Sequence, residues 1–339
     1  MPWGLTGLER AKTALGNMLA NNRVPHGLLF AGPRGSGKFT MALALAKALN
    51  CPDREPDFSP CGKCHVCRRI EAGGHPDVMT LSPKGRYRRI AIDDVRALRD
   101  ALGYRPYEAD FKVAVIRGAD RFGQESGGAL LKTLEEPTPS TVLILTAASE
   151  RDVMETLVSR CVRLKFDPLG RGRVLEALVG RGCHPGRAAL LAGLSDGALG
   201  AAQDLDPEAA EFAWGGVDGI YGSKGEPGAL MRAFEWTSEM LEENKRRKKT
   251  DDDPDDDLPA LTAKCMRLWW RDAGVLAATG DPSRCLGPPP SPGQRKIAAV
   301  ASAALLARVE KSMARLEDGL MRLIRLEVLF ENHWLDVLE

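Results

Sequence analysis

Two groups of residues in this chain have the types and spacing that chemistry requires. The first is Cys51, Cys61, Cys64 and Cys67, which form a Cys-x9-Cys-x2-Cys-x2-Cys pattern. Two successive Cys-x-x-Cys steps let a tight turn aim three thiolates at one point. Cys51 can supply the fourth at the roughly 2.3 Å that tetrahedral zinc requires. Four sulfurs leave no open coordination position, so the pattern predicts a structural zinc and not a catalytic one. His65 and His75 are lesser ligand candidates. Disulfides are the competing reading, but the other cysteines, Cys161, Cys183, Cys265 and Cys285, are scattered singly. A disulfide framework suits a small secreted chain, and no signal peptide or long apolar span is evident here.

The second group is Gly32-Pro33-Arg34-Gly35-Ser36-Gly37-Lys38, a phosphate-loop-like run a dozen residues upstream of the cysteines. In the motif G-x-x-x-x-G-K-[ST], loop amides cradle phosphates, the lysine reaches the β- and γ-phosphates, and the following hydroxyl holds magnesium. Gly32, Gly35, Gly37 and Lys38 are in place. The next residue is Phe39, and the hydroxyl arrives one position late as Thr40, rotated by about 100° around a helix. The run Lys112-Val113-Ala114-Val115-Ile116 should end in carboxylates that complete a magnesium site. It continues instead as Arg117-Gly118-Ala119-Asp120. The loop therefore reads as disabled for hydrolysis. Its amides survive, so weak binding of phosphate, ATP or ADP stays open.

These residues need a frame. Leu28 to Ala31, Val78 to Leu81, Lys112 to Ile116, Val142 to Thr146 and Val162 to Phe166 read as short strands. Phe39 to Leu49, Asp93 to Leu102, Glu125 to Glu135 and Asp152 to Ser159 read as helices between them. Alternation of this kind predicts an α/β fold with a parallel sheet covered on both faces. The glycine loop then sits at the carboxyl edge of the first strand, where such folds bind ligands. Beyond Pro168 the strand signals stop, and residues 171 to 203 read as short helices. Lys245-Arg246-Arg247-Lys248-Lys249 followed by Asp251 to Asp257 reads as a mobile loop, because like charges repel and bury no surface. Leu306, Val309, Met313, Leu316, Leu320 and Leu323 recur at helical spacing. That stripe either packs inside its own domain or also meets neighbouring subunits.

With 339 residues and 44% hydrophobic content, the chain can build two or three cores. A formal charge of only +1 excludes a global field that would pull it onto nucleic acid or membrane. A plain zinc-dependent DNA-binding module fits the cysteine spacing but lacks the basic excess.

Several ordered runs together carry a family resemblance. They are Arg23 to Pro33, the four cysteines, Tyr107-Glu108-Ala109-Asp110-Phe111-Lys112-Val113, Leu130-Leu131-Lys132-Thr133-Leu134-Glu135-Glu136-Pro137 and Ser159-Arg160-Cys161. Residues 4 to 166 resemble the bacterial clamp-loader ATPases of DNA polymerase III. The altered loop makes them similar to the delta-prime branch and not to the gamma/tau motor branch. The resemblance implies an AAA+ domain over 1–168 with a zinc module at 50–76. A small helical lid domain over 169–208 and an all-α, collar-type oligomerisation domain over 209–339 would follow, with the mobile charged loop at 244–258.

The resemblance also implies roles. Arg160 would act in trans as an arginine finger in a neighbour's ATP site, since a planar guanidinium can spread charge over a transferring phosphoryl group. Its bland alternative is a surface arginine beside a buried Cys161. The implied partners are gamma/tau and delta subunits, with the sliding clamp and primed DNA reached through the complex. The implied location is the cytoplasm, without membrane contact. An active gamma/tau-like ATPase, with Thr40 and Asp120 rescuing magnesium binding, is the competing function.

Overall fold

The computed structural model describes residues 2–84, 89–247, 257–322 and 324–338, and the chain divides into two compact units, Met1–Leu169 and Gly170–Glu339. The first unit runs α1 (Glu9–Ala20), β1 (Gly27–Ala31), α2 (Lys38–Asn50), α3 (His65–Glu71), β2 (Val78–Leu81), α4 (Ile92–Leu102), β3 (Lys112–Ile116), α5 (Gln124–Glu135), β4 (Thr141–Ala147), α6 (Glu155–Val158) and β5 (Val162–Lys165). All five strands are parallel, in the order β2-β3-β4-β1-β5.

The strand sequences explain why the sheet is covered twice. β3 and β4 are buried along their whole length, as continuous apolar runs in parallel sheets are. Successive side chains alternate between faces. Leu28 and Phe30 join one core with Leu15 of α1 and Leu45 of α2. Leu29 joins the opposite core with Leu98 of α4 and Leu130 of α5. The predicted parallel α/β sheet is therefore present.

Two elements differ from the expectation. The helix expected over Asp152 to Ser159 is only the four residues of α6, preceded by a 3-10 turn at Glu150–Asp152. Ser149 Oγ accepts the Arg151 N–H and Val153 is extended, so the two turns cannot merge. β5 lies at the sheet edge and is largely exposed, with Val162 at 43%. Exposed Arg163 and Lys165 blunt that open edge against pairing with other chains.

The second unit is helical among its described residues. It comprises α7 (Arg171–Val179), α8 (Pro185–Leu194), α9 (Leu199–Asp204), α10 (Pro207–Gly222), α11 (Ala229–Arg247), α12 (Leu258–Thr279), α13 (Pro292–Val300), α14 (Ala303–Met321) and α15 (Leu326–Leu338). Its core is aromatic. The Tyr221 ring lies 5.0 Å from that of Trp269, 5.2 Å from Trp270 and 5.3 Å from Trp334. Inside this cluster Tyr221 Oη meets His333 Nε2 at 2.6 Å, and Ser312 Oγ meets His333 Nδ1 at 2.9 Å.

The expected apolar stripe lies on α14, where Val309, Met313 and Leu316 are buried within this unit while Leu306 and Leu320 are half-buried. Leu323 lies outside the described residues. The mobile charged loop expected over 244–258 begins as helix: Lys245, Arg246 and Arg247 form the last turn of α11, where cations complement the helix dipole. Asn244 is buried and accepts the Leu258 N–H at 3.1 Å. Lys248 and Lys249 and the acidic run Asp251 to Asp256 lie outside the described residues. Among the described residues no helix is long and apolar enough to cross a membrane.

Candidate functional site

The cysteines are brought together by two helix ends. Cys51 follows the last residue of α2, and Cys64 is the N-cap of α3, which carries Cys67 in its first turn. Cys64 Sγ accepts the Cys67 N–H, and Cys61 Sγ accepts the Cys64 N–H, each at 3.4 Å. These bonds fold the Cys-x2-Cys-x2-Cys segment into one tight turn. The four Sγ atoms lie within 4.8 Å of one another, and Cys51 to Cys64 is 3.9 Å. A tetrahedron with bonds of about 2.3 Å has edges of about 3.8 Å, so the donor set fits a metal ion such as zinc.

Charge supports the same conclusion. Burial pushes the thiols of Cys51 and Cys67 up. Slight burial of Cys61 is outweighed by N–H donors from Cys64 and Lys63, which bring it down to about 7. A bound cation is what lets four crowded thiols deprotonate together. No cysteine is disulfide-bonded. His65 opens α3, and His75 is buried with its Nδ1 accepting the Asp77 N–H, so neither joins the four sulfurs.

The glycine loop leaves β1 at the carboxyl edge of the sheet. Gly32 donates its N–H to Ala147 O at 3.2 Å, and a Cβ there would sit 2.2 Å from Phe166 O. Only glycine fits between the ends of β4 and β5. Gly35 and Gly37 have φ of 72° and 87°, the left-handed region, and Gly37 caps α2. Lys38 Nζ donates to Gly32 O and Pro33 O, both at 2.7 Å, and to Ser36 Oγ at 3.4 Å. Burial lowers its pKa to about 8, partly offset by the Asp120 carboxylate. Thr40 is exposed on α2.

Beside the loop, the Arg117 guanidinium carbon lies 4.5 Å from the centre of the Phe39 ring. A cation stacked on that face is held where it is by the ring quadrupole. Asp120 pairs with Arg121 at 3.2 Å.

Arg160 stands on the turn after α6. Its Nη2 and Nε contact Glu135 Oε1 at 2.6 and 2.9 Å, and Nη1 donates to Thr156 O at 3.0 Å. Glu135 is the last residue of α5, so two elements fix the guanidinium while 36% of its side chain stays open to solvent. Burial pushes the neighbouring Cys161 thiol up to about 11, which makes it an inert packing residue.

Sequence reading missed three groups of residues. Glu135 as the partner of Arg160, the Phe39–Arg117 stack, and Asn50 and Asp77 as loop anchors all depend on pairings across the fold. The buried Asp77 had one local sign, its place directly before a strand. Such a position suits a carboxylate that accepts backbone N–H groups.

The family described as "DNA polymerase III, delta subunit" matches residues 7–170. Over 187 residues the chain is 33% identical to DNA polymerase III subunit delta' of Bacillus subtilis, covering 55% of this chain and 56% of that protein. Over 174 residues it is 34% identical to subunit tau/gamma of Haemophilus influenzae, covering 51% of this chain and 25% of that protein. The match thus spans little more than half, or less, of these relatives. A solved gamma subunit-related protein from Thermotoga maritima aligns with 94% of this chain and 96% of its own, at 17% identity and a TM-score of 0.49.

Proposed function

We propose that this chain, whose residues 7–170 match the family described as "DNA polymerase III, delta subunit", is a clamp-loader subunit of the delta-prime type that does not hydrolyse ATP. The observation that carries this reading is Arg117 stacked on Phe39. Along the sequence motif, Phe39 takes the place of the magnesium hydroxyl, and Arg117 follows β3 where a metal-binding carboxylate is expected. A divalent ion entering there loses a ligand and meets a positive charge. The competing reading, a gamma/tau-like ATPase rescued by Thr40 and Asp120, is less well supported. Thr40 faces solvent on α2, and Asp120 is engaged by Arg121.

In this reading the chemistry lies in another chain's site. Arg160 is rigidly held yet partly open, which suits a guanidinium delivered to a neighbour's γ-phosphate. Such fingers are worth on the order of 10³ to 10⁵ in rate. Zinc on Cys51, Cys61, Cys64 and Cys67 would be structural, because all four positions are filled by protein. Gly32, Gly35, Gly37 and Lys38 would at most hold phosphate or nucleotide weakly through loop amides. The lid and collar divisions, the gamma/tau and delta partners, primed DNA and the sliding clamp reached through the complex, and a cytoplasmic location all belong to this same proposal.

The test is a reconstituted complex carrying Arg160→Ala. It should assemble normally by gel filtration while DNA-stimulated ATPase and clamp loading fall. The fall should be smaller than a full finger effect, because other motor sites keep their own arginines. Arg160→Lys should rescue little, since an ammonium lacks the fork. Unchanged rates in an assembled Arg160→Ala complex would remove the trans-acting role. ATP turnover by the isolated chain that vanishes in Lys38→Ala would favour the ATPase reading.

A further inference from the structure

Side chains that flank the cysteine cluster reach a loop far along the chain. Asn50, one residue before Cys51, is buried. Its Oδ1 accepts the Phe111 N–H at 2.9 Å, and its Nδ2 donates to Phe111 O at 3.1 Å and Ala46 O at 3.2 Å. A side-chain amide here imitates one rung of a sheet. Arg69, two residues past Cys67, donates to Glu108 Oε1 at 2.5 Å and to Gly74 O at 3.2 Å. His75 Nε2 lies 3.6 Å from the same Glu108 oxygen, and Lys47 of α2 pairs with Glu71 of α3.

The loop they reach, residues 103–111, joins α4 to β3. Asp77, only 1% exposed, accepts N–H groups of Tyr107, Glu108 and Ala109 at 2.7, 2.9 and 3.1 Å. Lys112 Nζ donates to Ala101 O and Tyr104 O at 3.0 and 3.1 Å. Yet the loop exposes Tyr104 and Tyr107 at 74% and 85%. Phe111, its last residue, packs against the α1–α2 core, but burial of the Tyr104 and Tyr107 rings cannot be what orders the rest of it. Buried polar side chains outside the loop offset the entropy of fixing it.

We propose that the cysteine module is a metal-dependent brace that sets the conformation of the 103–111 loop. Cys51 ends α2 and Cys64 begins α3, so a metal on the four sulfurs ties one helix end to the next helix start. Asn50 and Arg69 sit beside that knot and carry its rigidity to Phe111 and Glu108. Without the metal both helix ends fray, and their bonds to the loop open before the sheet does. This role stands apart from the clamp-loader reading, since it concerns coupling within one unit.

The experiment is residue-resolved hydrogen exchange on the full chain, with one equivalent of zinc and after its removal by chelator. Exchange at Phe111 and at Tyr107 to Ala109 should rise about tenfold or more, a change of about 1.4 kcal/mol in local opening. Val115 and Leu143, within the sheet, should keep their protection. Unchanged loop exchange after zinc has left, a uniform rise through the sheet, or failure of the chain to bind zinc would each overturn the proposal. Asn50→Ala that retains one zinc equivalent should raise Phe111 exchange by a similar factor, and no rise there would also overturn it. If Asn50→Ala does not fold, Glu108→Ala is the replacement. It should raise exchange at Tyr107 to Ala109 with zinc still bound, and unchanged exchange counts against the brace.

Discussion

The guanidinium of Arg117, just past the end of β3, is stacked 4.5 Å from the centre of the Phe39 ring at the start of α2. The two residues that the sequence motif marks as departures from a magnesium site are therefore one structural pair. Each departure supports the other, because the ring attracts the cation and the cation covers the ring.

That pairing predicts a measurable coupling. A double-mutant cycle of Phe39→Ala and Arg117→Ala, followed by urea denaturation, should give an interaction energy of about 0.5–1 kcal/mol. Phe39→Ala alone should cost more than Arg117→Ala, because Phe39 also packs against the α1–α2 core. A coupling indistinguishable from zero would mean that the stack contributes nothing in solution.

The glycine loop predicts a sharp contrast between two neighbours. Gly32→Ala should destabilise the first unit by roughly 1–3 kcal/mol, since the new methyl would meet backbone at Phe166 that cannot move aside. Thr40→Ala, on the exposed face of α2, should stay within about 0.5 kcal/mol of the parent. Equal effects in thermal or urea unfolding would contradict this view of the loop.

For the cysteines, elemental analysis of protein prepared without chelator should find one zinc per chain. Less than half an equivalent would count decisively against the site. Serine at buried Cys67 should lower both zinc content and thermal stability.

At the tethered arginine, Glu135→Ala should change overall stability little, since a partly exposed ion pair contributes about 0–1 kcal/mol. If Arg160 acts in trans as proposed, Glu135→Ala should nevertheless alter the ATPase of the assembled complex, because Arg160 loses the carboxylate that holds it in place. A Glu135→Ala complex with parental ATPase would show that this tether has no part in positioning Arg160.

The second unit carries a pH dependence of definite sign. Burial lowers the pKa of His333 to about 4, with the Asp336 carboxylate and the Ser312 bond opposing that shift only in part. The native state therefore favours the neutral ring between Tyr221 and Ser312. Stability from this residue is fully present above the unfolded pKa of about 6.5 and is lost as pH falls towards 4, by about 3 kcal/mol at most. Urea midpoints measured from pH 7 to pH 4 should show the decline, and His333→Gln should flatten it. An unchanged slope in His333→Gln would assign the acid sensitivity elsewhere.

The sequence by itself determined whatever depends on short spacing. Cys61, Cys64 and Cys67 close one turn, Gly35 and Gly37 permit the left-handed loop, and the apolar runs of β1, β3 and β4 make a buried parallel sheet. Each follows from local geometry or from the two-residue period of a strand. The same reading overextended α6, because a single Ser149 cap interrupts an otherwise helical pattern. It also took Lys245 to Arg247 for loop, because charge repulsion was weighed without the helix end that those cations favour. Only the tertiary structure decided which distant groups meet. Asn50 binds Phe111 across 61 residues, Arg160 binds Glu135 across 25, and Tyr221 meets His333 across 112. These pairs are brought together by strand order and helix packing, which no spacing along the chain encodes, and they decide whether Arg160 is held and what the cysteine module supports.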